Sequence, residues 1–92
     1  MSEYVTIEPE PTADPDVMEI ITSETLADTE EIYTGPQAGE QGSPIAQMLF
    51  LGVPGIAALT IRDDTLVIRR DPNYAWEMIL DEVRDALRDF FL

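Results

Sequence analysis

Gly42-Ser-Pro-Ile-Ala-Gln-Met-Leu-Phe-Leu-Gly-Val-Pro-Gly-Ile-Ala-Ala-Leu-Thr-Ile61, then Arg62-Asp-Asp-Thr65, then Leu66-Val-Ile68, is the stretch whose reading decides the fold. Ser43-Pro44 opens a helix. A serine at the N-cap accepts a bond from a free helix N–H, and proline at the first helical position loses nothing, because an N–H there has no helical partner. Ile45, Ala46, Met48, Leu49, Phe50 and Leu51 make this helix apolar nearly all round, so burial on more than one side is expected. Gly52 is suited to a left-handed C-terminal residue, and Pro54 prevents continuation. Beyond the break, Ala57, Leu59 and Ile61 alternate with Ile56, Ala58, Thr60 and Arg62, and Leu66 and Ile68 alternate with Val67 and Arg69. Period two over β-branched residues reads as a hairpin of strands. Asp63-Asp64 is its turn, and without the favoured glycine a loop longer than two residues is expected.

On the C-terminal side, Asp71-Pro72-Asn73 ends the second strand of the hairpin and is expected to cap a last helix. Trp76, Ile79, Leu80, Val83, Leu87 and Phe90 follow helical spacing and make one apolar stripe. Glu77 sits in the first turn, where the macrodipole favours it, and Asp81–Arg84 and Asp85–Arg88 are opposite charges at i,i+3. On the N-terminal side, Val5 and Ile7 alternate with Tyr4, Thr6 and Glu8, which reads as a strand in residues 1–8. Pro9, Pro11 and Asp14-Pro15-Asp16 are expected to break regular structure, and residues 17–22 resume the alternation as a second, antiparallel strand. Residues 23–42 read as an acidic loop with scope for partial disorder, in which residues 31–34 are suited to a short edge strand.

Amphipathic strands with one polar face need helices on the other. Residues 1–92 are therefore read as a single two-layer α+β domain, with an antiparallel sheet of four strands, or five with residues 31–34, and two helices packed on one face. The expected core is Ile45, Leu49, Phe50, Ile56, Leu66, Ile68, Trp76, Leu80, Val83 and Leu87.

Composition narrows the chemistry. The 92 residues contain no cysteine and no histidine, so thiolate ligation, thiol nucleophiles and the commonest general base are missing, and no resident cofactor or metal is expected. Nineteen carboxylates face five arginines and no lysine, a net charge of −14. Residues 1–42 carry −11 of this and residues 43–92 carry −3. Such a chain repels phosphate backbones and anionic lipid, so neither nucleic acid nor a membrane is expected as a partner. The acidity suits either a surface adapted to a high-salt cytoplasm or an arm for a basic partner; the loss of every lysine favours the first. The uncharged run from Gly42 to Ile61 is interrupted by Gly52, Pro54 and Gly55 and has no positive flank, which argues against a membrane span. A cytoplasmic, monomeric protein is the expectation.

The succession Gly42-Ser-Pro-Ile-Ala-x-x-Leu-Phe50, Gly52-Val-x-Gly-Ile56, Asp64-x-Leu-Val-Ile68, Trp76 and a helix ending in Phe90-Phe91 resembles the N-terminal domain of Nfu/NifU-type iron–sulfur scaffold proteins. Upstream, Pro11-Thr-Ala-Asp-Pro-Asp-Val-Met18 is similar to that family's Thr-Pro-Asn-Pro-Asn segment, with Asp14 and Asp16 where the family has asparagine. The resemblance implies a two-layer αβ module with a place in iron–sulfur biogenesis. It does not imply cluster binding by these residues, because the family's Cys-x-x-Cys belongs to a separate C-terminal domain.

Individual residues support no catalysis. Ser43 has no histidine or lysine to activate it and is explained by capping. Asp14 and Asp16 read foremost as a turn, since a calcium site wants six or more oxygens. Arg62, Arg69 and Arg70 are expected to pair with carboxylates rather than to bind an anion. The leading expectation is a non-enzymatic protein-interaction module, accessory to cluster assembly or delivery, whose partner is a cysteine-containing iron–sulfur scaffold or recipient. Its expected contacts are the exposed sheet face, Asp14 and Asp16, and the acidic segment with Glu30 and Glu31. The alternative is an acidic structural or regulatory binding domain, such as a nucleic-acid mimic, unrelated to iron–sulfur chemistry.

Overall fold

Eight elements follow one another in the computed structural model, which describes residues 5–91. They are β1 (Ile7–Pro11), β2 (Val17–Thr22), β3 (Glu31–Tyr33), α1 (Pro36–Gly39), α2 (Pro44–Gly52), β4 (Ile56–Arg62), β5 (Thr65–Arg70) and α3 (Trp76–Phe90). The strands form one antiparallel five-stranded sheet in the order β1-β2-β5-β4-β3. The β4–β5 hairpin supplies two of the three inner strands, and the N-terminal hairpin and β3 flank it.

Because side chains directly opposite in an antiparallel pair point the same way, the register sorts the sheet into two faces. Ile20 pairs with Leu66, Leu66 with Ile61, and Ile68 with Leu59; all of these are buried and look toward the helices. Ile45, Ala46 and Leu49 of α2 and Ile79, Val83 and Leu87 of α3 close the core from the other side. The stripe on α3 is therefore narrower than its spacing suggested. Leu80 and Trp76 pack against the core half-buried, and Phe90 is 40% exposed. Phe50 is also half-buried, set edge-on to Tyr33 with ring centres 6.2 Å apart.

Several local expectations are corrected. The first strand runs Ile7–Pro11, through both prolines instead of ending before them; residues 1–4 of the expected strand lie outside the described residues. β1 is an edge strand, where a proline without an N–H can sit facing solvent. The hairpin turn is two residues long, with Arg62 paired to Thr65 and Asp63 at φ 53°. Aspartate tolerates that left-handed conformation better than most residues. The turn is also held from outside. The Asp63 carbonyl accepts from Leu26 N (2.6 Å) and Ala27 N (3.3 Å), and the Asp64 carbonyl from Thr22 N (2.8 Å).

Ile56 and Leu59 are both buried although strict alternation puts them on opposite faces. A bulge between Ile56 and Ala58 inserts Ala57 and returns Ile56 to the core side. Gly52 ends α2 without a left-handed conformation; the positive φ belongs to Gly55 (98°), where a Cβ would come within 2.8 Å of the Tyr74 side chain. Asp71 does not cap α3, whose N-cap is Ala75; its carboxylate instead accepts from Asn73 N (2.9 Å) within a turn. Ser43 does cap α2, accepting from Ala46 N at 3.3 Å.

Residues 23–42 contain β3 and the four-residue helix α1, a third helix beyond the two expected. Leu26 and Ala27 are buried in the core, and Gly39 packs so closely on the Phe50 ring that a Cβ would overlap it. Among the described residues no helix is long and apolar enough to cross a membrane.

Candidate protein-contact surface

The loop between β1 and β2 is built from Thr12, Asp14 and Asp16. The Asp14 carboxylate accepts from Asp16 N at 2.9 Å, the turn that aspartate two residues upstream makes readily. Thr12 Oγ1 lies 2.9 Å from the Val17 carbonyl oxygen and accepts from Asp14 N at 3.2 Å. Two arginines from the end of β5 then fix the loop from below. Arg69 pairs with Asp14 (3.2 Å) and Arg70 with Asp16 (3.1 Å). The Arg70 guanidinium also donates to the Tyr74 carbonyl (3.1 Å) and lies 5.4 Å from the centre of the Trp76 ring, a cation–π arrangement. Trp76 Nε1 completes the cluster by donating to the Pro15 carbonyl at 2.8 Å.

This cluster explains the charge behaviour of the loop. The Asp16 N–H bond is the main cause that holds the Asp14 carboxyl below the ordinary aspartate range; desolvation opposes it, and Arg69 adds to the lowering. The two aspartates are thus occupied by the chain itself, as turn and ion-pair partners.

Glu30 and Glu31 stand elsewhere. Glu30 pairs with Arg62 at 3.5 Å, and Glu31 accepts from the Tyr33 hydroxyl at 2.6 Å. That hydroxyl in turn accepts from Ser43 N at 3.1 Å, so β3 is tied to the start of α2. Glu31 lies opposite Ile61, beside the β4–β5 turn, whereas Arg69 and Arg70 lie at the other end of β5. The four carboxylates singled out in the sequence therefore form two separate groups, not one patch.

Three further surface features come from the fold. The outer sheet face carries Val17, Ile21, Ala58, Thr60 and Val67, all only half-buried, and Ile32, which is 64% exposed. At its β1 side Glu10 sits directly opposite Glu19, with Glu8 beside them. Across the molecule, Pro36, Glu40, Gln47, Phe50 and Leu51 border a shallow hollow of about 310 Å³, where Leu51 is 84% exposed. Alternation already separates Glu19 from the core side, but its pairing with Glu10 depends on the hairpin register. Leu51 carries no sequence signal of exposure, because it lies in the most apolar run of the chain. Among the described residues no group of three or more carboxylates is arranged to hold a metal ion.

Residues 7–92 match the family model for the N-terminal domain of scaffold protein Nfu/NifU. The chain belongs to that family. Its fold is similar to the solution structure of a NifU-like protein from Saccharomyces cerevisiae, with a TM-score of 0.76 and 23% identity over 96% of this chain and 79% of that one. A crystal structure of a Staphylococcus aureus protein is similar with a TM-score of 0.67 and 22% identity, covering 88% of this chain and 96% of that one. A solution structure of a Staphylococcus epidermidis protein gives 0.58 and 20%, over 90% of this chain and 94% of that one. At these identities the likeness to the solved structures speaks for the fold. No match to a curated protein sequence is found.

Proposed function

We propose that this Nfu/NifU N-terminal domain is a non-enzymatic interaction module in iron–sulfur cluster assembly or delivery. It acts on the protein that holds the cluster rather than on the cluster itself. The observation that carries this is the family match over residues 7–92 in a sequence without a single cysteine or histidine. The cluster is then cargo, and its thiolate ligands come from a cysteine-bearing scaffold or recipient. The acidic surface supports a partner with a basic contact face, and such an association weakens with salt. The domain works as a cytoplasmic monomer in this reading.

The test is a titration of the isotope-labelled chain with a cluster-loaded, cysteine-bearing scaffold, followed by amide chemical shifts at low and at molar salt. A contiguous set of shifted residues is expected. No perturbed residue at either salt concentration sinks the proposal.

A further inference from the structure

We infer that the outer face of the sheet is the docking surface, and that its occupant is a basic amphipathic helix of a partner protein. This rests on the reading of the chain as an interaction module, and adds the place and the chemistry of the contact.

The apolar side of the argument is the uncovered face. α2 and α3 pack on the inner face only, while Val17, Ile21, Ala58 and Val67 remain half-exposed on the outer one. Val17, Ala58 and Val67, with Thr60 and Arg69, border a hollow of about 190 Å³ on this face. A sheet with an apolar stripe on each face is the pattern of a layer meant to be covered on both.

The charged side names the occupant. The two arginines that project beside this face, Arg62 and Arg69, are already paired, with Glu30 and Asp14. Among the described residues, no ion pair involves Glu8, Glu10 or Glu19. Glu10 and Glu19 are direct cross-strand neighbours, and like charges in that position repel. A lysine or arginine laid over them removes the repulsion, so the face favours a cation at its β1 side and apolar side chains over β2, β5 and β4.

The geometry of the edges excludes a partner strand. β1 carries Pro9 and Pro11, and β3 is three residues long, so neither edge offers a continuous ladder. What is left is the flat face, which suits a helix packed on a sheet. A second copy of this chain is the wrong occupant, because it brings the same three glutamates and a net charge of −14.

The experiment uses the full chain and a synthetic Leu/Lys amphipathic peptide of ~15 residues, long enough to form a helix on contact. Affinity and amide shifts are measured for the parent chain, E19K and E77K. The two variants change the net charge equally, but Glu77 lies on α3, away from the outer face. E19K also replaces a repulsive pair by an attractive one, so it folds. Shifts centred on Val17, Ile21 and Val67, with affinity lowered about tenfold by E19K and less than about threefold by E77K, support the proposal. Equal losses in the two variants, shifts centred on the Leu51 hollow, absence of binding, or self-association of the chain through this face each overturn it. No iron–sulfur protein enters the assay, so binding here with no response to a cluster-loaded scaffold would discard the proposed function and keep the surface.

Discussion

Trp76 at the start of α3 donates its indole N–H to the carbonyl of Pro15, 61 residues earlier, at 2.8 Å. The same ring lies under the Arg70 guanidinium, which pairs with Asp16. One side chain therefore locks the β1–β2 loop to β5 and to α3. Trp76→Phe keeps the ring and loses the donor, and is expected to lower stability by about 1 kcal/mol. Trp76→Ala also loses the half-buried packing and the cation–π contact, and should cost ~2–3 kcal/mol. Urea unfolding followed by circular dichroism measures both, and equal losses would show that the hydrogen bond contributes everything.

Asp14 sets a pH dependence with a definite sign. Its carboxyl titrates below the ordinary aspartate range because the charged form accepts the Asp16 N–H and faces Arg69. A depressed folded-state pKa contributes stability that is present above the unfolded value and disappears as pH falls through the folded one. The contribution of Asp14 is thus full at neutral pH and is lost below about pH 4. Asp14→Asn keeps an acceptor for Asp16 N but has no charge to lose. Its unfolding midpoint is expected to fall less steeply than the parent's on acidification, and parallel curves would remove Asp14 from the account.

Two glycines that look alike in the sequence should behave oppositely. Gly55 has φ 98°, and a Cβ there would lie 2.8 Å from the Tyr74 side chain, so Gly55→Ala carries both backbone strain and a clash and should destabilise by more than about 1 kcal/mol. Gly52 closes α2 with nothing within 4 Å of a built Cβ. Gly52→Ala is expected to gain roughly 0.5 kcal/mol through lower backbone entropy in the unfolded chain. Thermal melts of the two variants give the signs directly.

What could be read in advance was what local period controls. The β4–β5 hairpin, the Val83 and Leu87 stripe and the antiparallel α+β layout follow from spacings of two or of three and four, and the Ser43 cap from the Ser-Pro pair that opens α2. What could not was set by distant chain. The tight Asp63-Asp64 turn is stabilised by N–H groups of Thr22, Leu26 and Ala27, and the Asp14 and Asp16 loop by Arg69 and Arg70. No window of sequence contains both halves of those contacts. The bulge at Ala57 was hidden for a related reason: alternation predicts one face for Leu59 and the other for Ile56, and only the need to bury both reveals the extra residue. Candidate contact residues fared by the same rule. Composition marked Glu30, Glu31, Asp14 and Asp16 as acidic, but only the folded contacts show that all four are engaged within the fold, and only the register shows that Glu10 and Glu19 face each other.

The response to salt tests the origin of the acidity. Nineteen carboxylates and five arginines leave a net charge of −14, and the folded chain concentrates that charge more than the unfolded one does. Two electrostatic effects then oppose each other as potassium chloride is added. Screening weakens the exposed pairs Arg62–Glu30, Arg69–Asp14 and Arg84–Asp81, but exposed pairs contribute only about 0–1 kcal/mol each. Screening also removes the repulsion among the many carboxylates outside those pairs, Glu10 against Glu19 included, and at 1 M the Debye length is only ~3 Å. The second effect acts on more charges, so the unfolding midpoint should rise between low and molar potassium chloride. E19K, which removes one carboxylate from the Glu10–Glu19 cross-strand pair, should show a smaller rise than the parent. A midpoint that is flat or falls with salt would mean that the ion pairs outweigh the repulsion, and the acidity would then have to be explained by a basic partner alone.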